Sequence, residues 1–391
     1  MNKKVFVGGV ATGVISSVVA VSALNIVANA SVFSQNSFTM DDKISYISSL
    51  IDKYYVDEYE KADLEDGVYH GLVEGLGDPY SSYFSQEELA GFMENTNGSF
   101  YGIGVNIQYN EETGRLLVIS PIAGSPAEKA GILPGDYIYK VNGQDITGMD
   151  SDASISLIRG EEGTTVSLTL LRDGKEVVID VERAEIDLES VASMVLEDNI
   201  GYIYISGFKN NTYDQFAENY NELRSQNIKG LIIDVRDNPG GMLNIVEKIA
   251  DMLIPEGNIV YTIDKNGNRE DCTSDAACID IPLAVLVNGN SASASEILAG
   301  AVQDSGTGVL VGSQTYGKGC VQNLYKLPDG SGVKITIQKY YTPKGVCIQG
   351  TGITPDYVVE DNPDYMSVLM IAEGEDEQLN KAVEVIKEKI K

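Results

Sequence analysis

Three serines stand at alternate positions in the stretch N-G-N-S-A-S-A-S-E-I-L-A-G-A-V-Q-D, which runs from Asn288 to Asp304. A serine hydroxyl becomes a nucleophile when a neighbouring base takes its proton, yet the chain holds one histidine, His70, far from the serines in sequence. The base must be sought among other residue types. Downstream lies G-S-Q-T-Y-G-K-G-C-V-Q, with Lys318 between two glycines and Gln322 four residues later. Glycines let backbone and ligand approach closely, and a lysine in a dry pocket is destabilised as a cation, so its pKa falls towards neutrality. A lysine left near about 10.4 would be protonated at pH 7 and could accept nothing. Taken alone, each segment also has a plain reading: serines cap helices, and most lysines are solvated.

The elements around these residues can be read from periodicity. Pro282-Leu283-Ala284-Val285-Leu286-Val287 is a short apolar run of the buried-strand type, and Ile297, Leu298, Ala301 and Val302 follow at helical spacing. The serines therefore sit at a strand-to-helix turn, where unpaired N–H groups and the positive end of the helix dipole can stabilise an oxyanion. From about residue 188 to 355 strands alternate with helices, which implies a layered α/β core. Residues 41–92 carry apolar residues at helical spacing, broken by a turn at Gly77-Asp78-Pro79-Tyr80 and resuming at Ser85-Gln86-Glu87-Glu88, an N-cap followed by an acidic first turn. His70 falls there and is read as an ordinary helix residue. Residues 99–184 are short β-rich runs separated by Gly and Asp turns. The end of the chain reads as a charged helical tail to which the sequence assigns no function.

Composition narrows the partners. At 391 residues the chain is too long for one core, and its 58 acidic against 28 basic residues give a net charge of −30. Such a surface is repelled by a phosphate backbone, so nucleic acid is excluded as a partner. One histidine and four cysteines outside any C-x-x-C pattern offer no metal site, although Cys272 and Cys278 could close a small loop in an oxidising space. Lys3 and Lys4 precede an uncharged run from Val5 to Leu24, and Ala28-Asn29-Ala30 offers an A-x-A cleavage site. That is an export signature, a cleaved signal or a retained membrane anchor, and it places the bulk of the chain outside the cytoplasm.

Longer motifs carry a resemblance. Y-G-I-G-V (101–105), S-P-A-E-K-A-G-I-L-P-G-D-Y-I-Y-K-V-N-G (125–143) and a helical stretch to Arg159 resemble a PDZ domain of the circularly permuted bacterial type. S-A-S-A-S-E-I, G-K-G-x-V-Q and Y-Y-T-P-K-G-V-C-I-Q-G-T-G-I-T-P-D, with D-V-R-D-N-P-G-G (234–241) and G-D-P-Y-S-S-Y-F, resemble the carboxyl-terminal processing peptidases, the tail-specific serine proteases of peptidase family S41. The resemblance implies a multidomain α/β fold: a layered α/β protease core of the ClpP/crotonase-like type, an inserted β-rich PDZ domain and N-terminal helices. It divides the chain into a signal or anchor (1–33), a helical region (34–98), the PDZ domain (99–186), the protease core (187–361) and the tail (362–391).

On matching positions it makes Ser293 the nucleophile, Lys318 the base and Gln322 the residue that orients the lysine. Gly240 or Gly241, together with Ala294, would supply the oxyanion N–H groups. Tyr101, Gly102, Ile103, Gly104 and Val105 would bind a peptide's C-terminal carboxylate, and Arg159 would communicate that binding to the core. Cys320 stands where the family more often has threonine or another small residue. The implied activity is that of an exported serine endopeptidase, needing no metal or cofactor, acting on proteins with apolar C-termini and self-associating as a dimer. A PDZ-bearing scaffold with an inactive core is the alternative, and Ser293, Lys318, Gln322 and the N-P-G-G turn argue against it.

Overall fold

The computed structural model describes residues 38–111, 113–360 and 376–390 in two compact units, one ending at Val68 and one beginning at Tyr69. The expected signal or anchor lies outside the described residues. The first unit contains α1 (Met40–Tyr54) and the start of α2 (Lys61–Glu74). Thr39 caps α1 reciprocally with Asp42, and no residue of that helix is buried.

The second unit continues with β1 (Ser82–Phe84) and α3 (Gln86–Asn97), the latter opened by a Ser85–Glu88 capping box and closed by Gly98 in a left-handed conformation. A β-rich module follows: β2 (Ser99–Gly102), β3 (Val105–Asn110), β4 (Arg115–Pro121), the single turn α4 (Pro126–Lys129), β5 (Tyr137–Val141), β6 (Gln144–Asp145), α5 (Ser151–Ile158), β7 (Thr165–Arg172), β8 (Lys175–Glu182) and β9 (Ala184–Asp187). Its main sheet runs β3-β4-β5-β7-β8, leaving β3 as an edge. Alternating residues such as Leu116 and Val118, or Val166, Leu168 and Leu170, point into its own core. Entry and exit strands β2 and β9 pair from Ser99↔Asp187 to Gly102↔Ala184, so the module hangs on a two-stranded stem. That is the geometry of an inserted domain.

The layered core comprises β10 (Val191–Leu196), β11 (Ile200–Ile205), α6 (Thr212–Ser225), β12 (Gly230–Asp234), α7 (Leu243–Leu253), β13 (Gly257–Asp264), β14 (Arg269–Ser274), β15 (Leu283–Val287), α8 (Ala294–Ser305), β16 (Gly308–Gly312), β17 (Cys320–Lys326), β18 (Gly332–Tyr341), β19 (Tyr357–Val358) and α9 (Glu377–Ile390). Its principal sheet has the order β10-β11-β12-β15-β16-β19, parallel from β11 onward with β10 antiparallel at the edge. Every residue of β12 and β15 is buried, which explains the apolar runs L-I-I and L-A-V-L-V. One face of the sheet, with Ile203, Ile233 and Val285, packs on α6, α7 and α8. The other, with Tyr202, Ile232 and Leu286, packs on Leu379, Ala382 and Ile386 of α9.

The terminal helix is thus a third layer of the core. Burial of its apolar side chains contributes roughly 1.5–3 kcal/mol for each large one, and Gly230 makes room for it, since a Cβ there would lie 2.4 Å from Ile386. A second sheet joins β1, β18, β13 and β14, with β17 also on β18. β1 pairs through Ser82↔Lys334 and β17 through Leu324↔Lys334, so β18 carries one on each side.

Candidate active site

The three serines have different surroundings. Ser291 Oγ donates to the Val235 carbonyl (2.8 Å) and accepts the Asn288 N–H (2.9 Å), while Ser295 Oγ donates to the Asn238 carbonyl (2.9 Å). Both are fully buried; Ser293 is partly exposed. Ser293 is the N-cap of α8, in a capping box with Glu296, and its backbone sits at φ +56°, ψ −113°. A non-glycine residue in that region costs on the order of 1–3 kcal/mol and persists only where the surroundings impose it. Here it projects the hydroxyl from a sharp strand-to-helix elbow.

The N-P-G-G loop supports the elbow from β12. Asn238 Nδ2 donates to the Ile205 carbonyl, its Oδ1 accepts the Gly240 N–H (2.8 Å), and its carbonyl accepts the Ala292 N–H (3.1 Å). Gly240, at φ +105°, lies so close that a Cβ would stand 2.7 Å from the Ala292 oxygen and 2.8 Å from Ser293 Cβ. With the Gly240 N–H taken by Asn238, the N–H groups of Gly241 and Ala294 are the two that find no acceptor among the described residues. Upstream, Arg236 chelates Asp234 and reaches Asp376 (2.8 Å) and Gln378 (3.1 Å) at the start of α9. Burial opposes the Arg236 charge, but the Asp234 and Asp376 carboxylates outweigh it and hold the guanidinium protonated.

Lys318 is brought to the elbow by two side chains that touch both. Glu296, fully buried, accepts the Ser293 N–H (2.8 Å), the Gly317 and Lys318 N–H groups (2.8 and 2.9 Å) and the Thr315 hydroxyl (2.6 Å). Burial raises its pKa, and those four donors work against the rise. The Tyr340 hydroxyl bonds the carbonyls of both Ser293 (3.1 Å) and Lys318. Half-buried, Lys318 has its pKa pushed below the ordinary lysine value by desolvation, partly opposed by Cys320, Asp78 and Glu296. Its Nζ lies 5.0 Å from the centre of the Tyr80 ring.

Gln322 does not bond Lys318 among the described residues: its amide nitrogen donates to the Cys320 carbonyl and Sγ (both 3.1 Å) and to Thr336 Oγ1 (3.4 Å). Cys320 is buried beside it, and all four cysteines are free thiols, so Cys272 and Cys278 form no bridge. His70 faces Glu88 (3.3 Å) and the edge of Tyr83. Neither Glu296 nor Tyr340 was singled out from sequence; Glu296 stands three residues after Ser293, at S-x-x-E spacing, and that was its one local signal.

In the β-rich module a groove of about 130 Å³ is lined by Phe100, Gly102 to Val105, Ile107, Ile155, Ile158 and Arg159. It runs between edge strand β3 and α5. The Gly104 carbonyl is occupied by the Ile122 N–H and the Ser125 hydroxyl, and Ile103 is buried, which fixes the loop. Of the expected loop residues, Tyr101 is exposed and does not line the groove. Arg159 follows α5, lies over the Phe100 ring (4.9 Å) and pairs with Glu94 of α3 (2.6 Å).

A strained serine at a helix start, free backbone donors beside it and a desolvated lysine fastened to the same elbow form the arrangement of a serine-type acyl-transfer enzyme. Family models match as follows: Peptidase family S41 over residues 199–359, a PDZ domain over 117–172, and the N-terminal domain of the activating protease CtpB over 10–88. The carboxy-terminal processing protease CtpA of Bacillus subtilis is 38% identical over 361 residues, spanning 90% of this chain and 77% of that protein. A carboxyl-terminal-processing protease of Synechocystis is 40% identical over 297 residues, spanning 74% and 69%. A solved photosystem II D1 C-terminal processing protease is similar over 80% of this chain and 86% of its own, at 31% identity and a TM-score of 0.47. The chain belongs to peptidase family S41, among the carboxy-terminal processing proteases, and is a serine-type peptidase with a PDZ domain.

Proposed function

We propose that this peptidase is an exported endopeptidase that selects proteins by their apolar C-terminal ends and cleaves them with a Ser293–Lys318 dyad. The observation that carries the reading is the shared clamp: one buried carboxylate, Glu296, accepts the backbone N–H groups of both Ser293 and Lys318. Ser293 Oγ attacks the scissile carbonyl carbon while the lone pair of neutral Lys318 takes its proton. The carbonyl π electrons move to oxygen, which the Gly241 and Ala294 N–H groups hold. Collapse breaks the C–N bond, the Lys318 ammonium protonates the leaving amine, and water, deprotonated by Lys318, then hydrolyses the acyl ester. For Gln322 to orient the lysine, its amide must turn away from Cys320 and Thr336.

Substrate ends are drawn to the module by backbone pairing along β3 and by anion capture at the Gly102–Val105 turn, with Ile107, Ile155 and Ile158 as the apolar wall. Arg159, already shared between Phe100 and Glu94, is placed to exchange partners when a carboxylate enters. The Lys3-Lys4 apolar segment supports export, and the unburied apolar residues of α1, Ile47 and Leu50 among them, support self-association. Incubation with unfolded polypeptides ending in apolar or charged residues tests the reading. Wild type cleaves those with apolar ends, and Ser293→Ala and Lys318→Ala do not; equal residual cleavage in both variants defeats it.

A further inference from the structure

The segment G-D-P-Y-S-S-Y-F lies more than two hundred residues before Ser293, and nothing in the mechanism above uses it. Yet its Tyr80 ring is 5.0 Å from Lys318 Nζ, and the Tyr80 hydroxyl interacts with the side chains of Gln349 and Tyr316. Gln349 in turn accepts the Gly319 N–H (2.8 Å). One aromatic side chain thus meets the amine with its face and lies beside the glutamine that holds the next residue of the loop. Asp78 fixes the turn that carries it: Oδ1 accepts the Tyr80 backbone N–H (3.2 Å) and Oδ2 accepts the Ser81 hydroxyl (2.6 Å). The network goes on, since Ser81 Oγ accepts the Thr336 N–H (3.1 Å) and Thr336 Oγ1 accepts the Gln322 amide (3.4 Å).

We propose that the Asp78–Tyr80 turn is a positioning element for Lys318, with Tyr80 as the face against which the amine rests and Asp78 as the anchor that fixes both Tyr80 and the Thr336–Gln322 side. Glu296 and Tyr340 hold the lysine's backbone from the core; the turn holds its side chain from the opposite flank. The inference rests on Lys318 acting as the base. The groups that act on the Lys318 charge are Asp78, Glu296 and Cys320, each favouring the ammonium, and Lys334 of β18, a like charge whose own amine lies over Phe84 and Phe92. Removing the Asp78 charge while keeping its shape therefore makes Lys318 easier to deprotonate.

The test uses the full chain, with two readouts: steady-state cleavage of an unfolded polypeptide, and the rate at which a fluorophosphonate labels Ser293 between pH 5 and pH 10. Tyr80→Leu lowers kcat by roughly tenfold with KM unchanged, as expected when a cation–π contact and its alignment are lost, while Tyr80→Phe, which keeps the ring, recovers most of the rate. Asp78→Asn moves the acid limb of the labelling profile to lower pH. An unmoved limb in Asp78→Asn, or full kcat in Tyr80→Leu, overturns the proposal. If Tyr80→Leu does not fold, as judged by its melting transition, the Asp78→Asn limb alone decides. Lys318→Ala separates the two levels: fast labelling in that variant removes the dyad and the inference with it, whereas slow labelling with an unmoved Asp78→Asn limb removes the inference alone.

Discussion

Glu296→Ala is the perturbation with the most to reveal. The carboxylate has no exposed surface and takes four donors, the N–H groups of Ser293, Gly317 and Lys318 and the Thr315 hydroxyl. Truncation strands all four. The Thr315 hydroxyl can rotate to another acceptor, but the three N–H groups cannot, and an unsatisfied buried donor costs about 1–3 kcal/mol. The expected loss of stability is therefore about 3–9 kcal/mol, at or beyond the top of the ordinary range for one substitution.

Glu296→Gln is gentler. With its oxygen towards Ser293 and Lys318 it strands the Gly317 N–H alone, and it sheds a buried charge. Burial raises the Glu296 pKa above 4.5, so the folded state binds more protons than the unfolded one as pH rises from that value. Stability linked to this group therefore falls with rising pH through the folded pKa, and the advantage of wild type over Glu296→Gln shrinks in the same window. Urea unfolding midpoints at several pH values, measured beside kcat, check both statements. An alanine variant within 1 kcal/mol of wild type, or a wild-type advantage that grows with pH, would refute the idea that one carboxylate braces the two loops.

Gly240→Ala should lower kcat by about 10²–10³, the scale of a lost oxyanion donor, because its Cβ would stand within 3 Å of the Ala292 oxygen, Ser293 Cβ and the Ala294 nitrogen; normal burst kinetics in that variant would contradict it. If Lys318 is the base, the kcat/KM profile should rise through a limb below the ordinary lysine value, because burial lowers its pKa; a flat profile from pH 6 to 10 would count against a lysine base. Gly104→Ala, forced to φ +75° with a Cβ 2.5 Å from Ser125 Cβ, should abolish binding of a free-carboxylate peptide to the module and leave the melting of the core intact, as read by calorimetry. Cys272, whose thiol pKa is pushed up to about 12 by burial and by Glu247 and Asp251, should resist iodoacetamide at pH 8 in the folded protein and react after unfolding, as peptide mass analysis would record.

The layered core was legible because buried parallel strands announce themselves: L-I-I and L-A-V-L-V are continuous apolar runs, and both lie at the centre of the sheet. The turn carrying the serines could be located for the same reason. Its φ could not, because the residues that crowd the turn, Asn238 and Gly240, come from the loop after β12, distant in sequence. Tyr80 and Tyr340 were invisible as neighbours of Lys318, being brought to it by tertiary contacts without local pattern. In the last helix, Leu379, Ala382, Val385 and Ile386 follow helical spacing, but the density of charge on the opposite face masked a buried layer. Tyr101 falls inside a loop motif whose neighbours line a groove, and strand alternation turns it to solvent.

The Arg236 cluster has a bearing on how such an enzyme survives its own activity. The loop proposed to offer N–H groups to the substrate is bolted at one end to the serine elbow by Asn238 and at the other, through Arg236, to Asp376 and Gln378 of a helix that lies across the sheet. Loosening that helix leaves Arg236 without its Asp376 and Gln378 partners and unfastens one end of the loop. Partial unfolding, the condition in which a peptidase would begin to consume its neighbours or itself, is then also the condition that disarms it: the molecule fails closed.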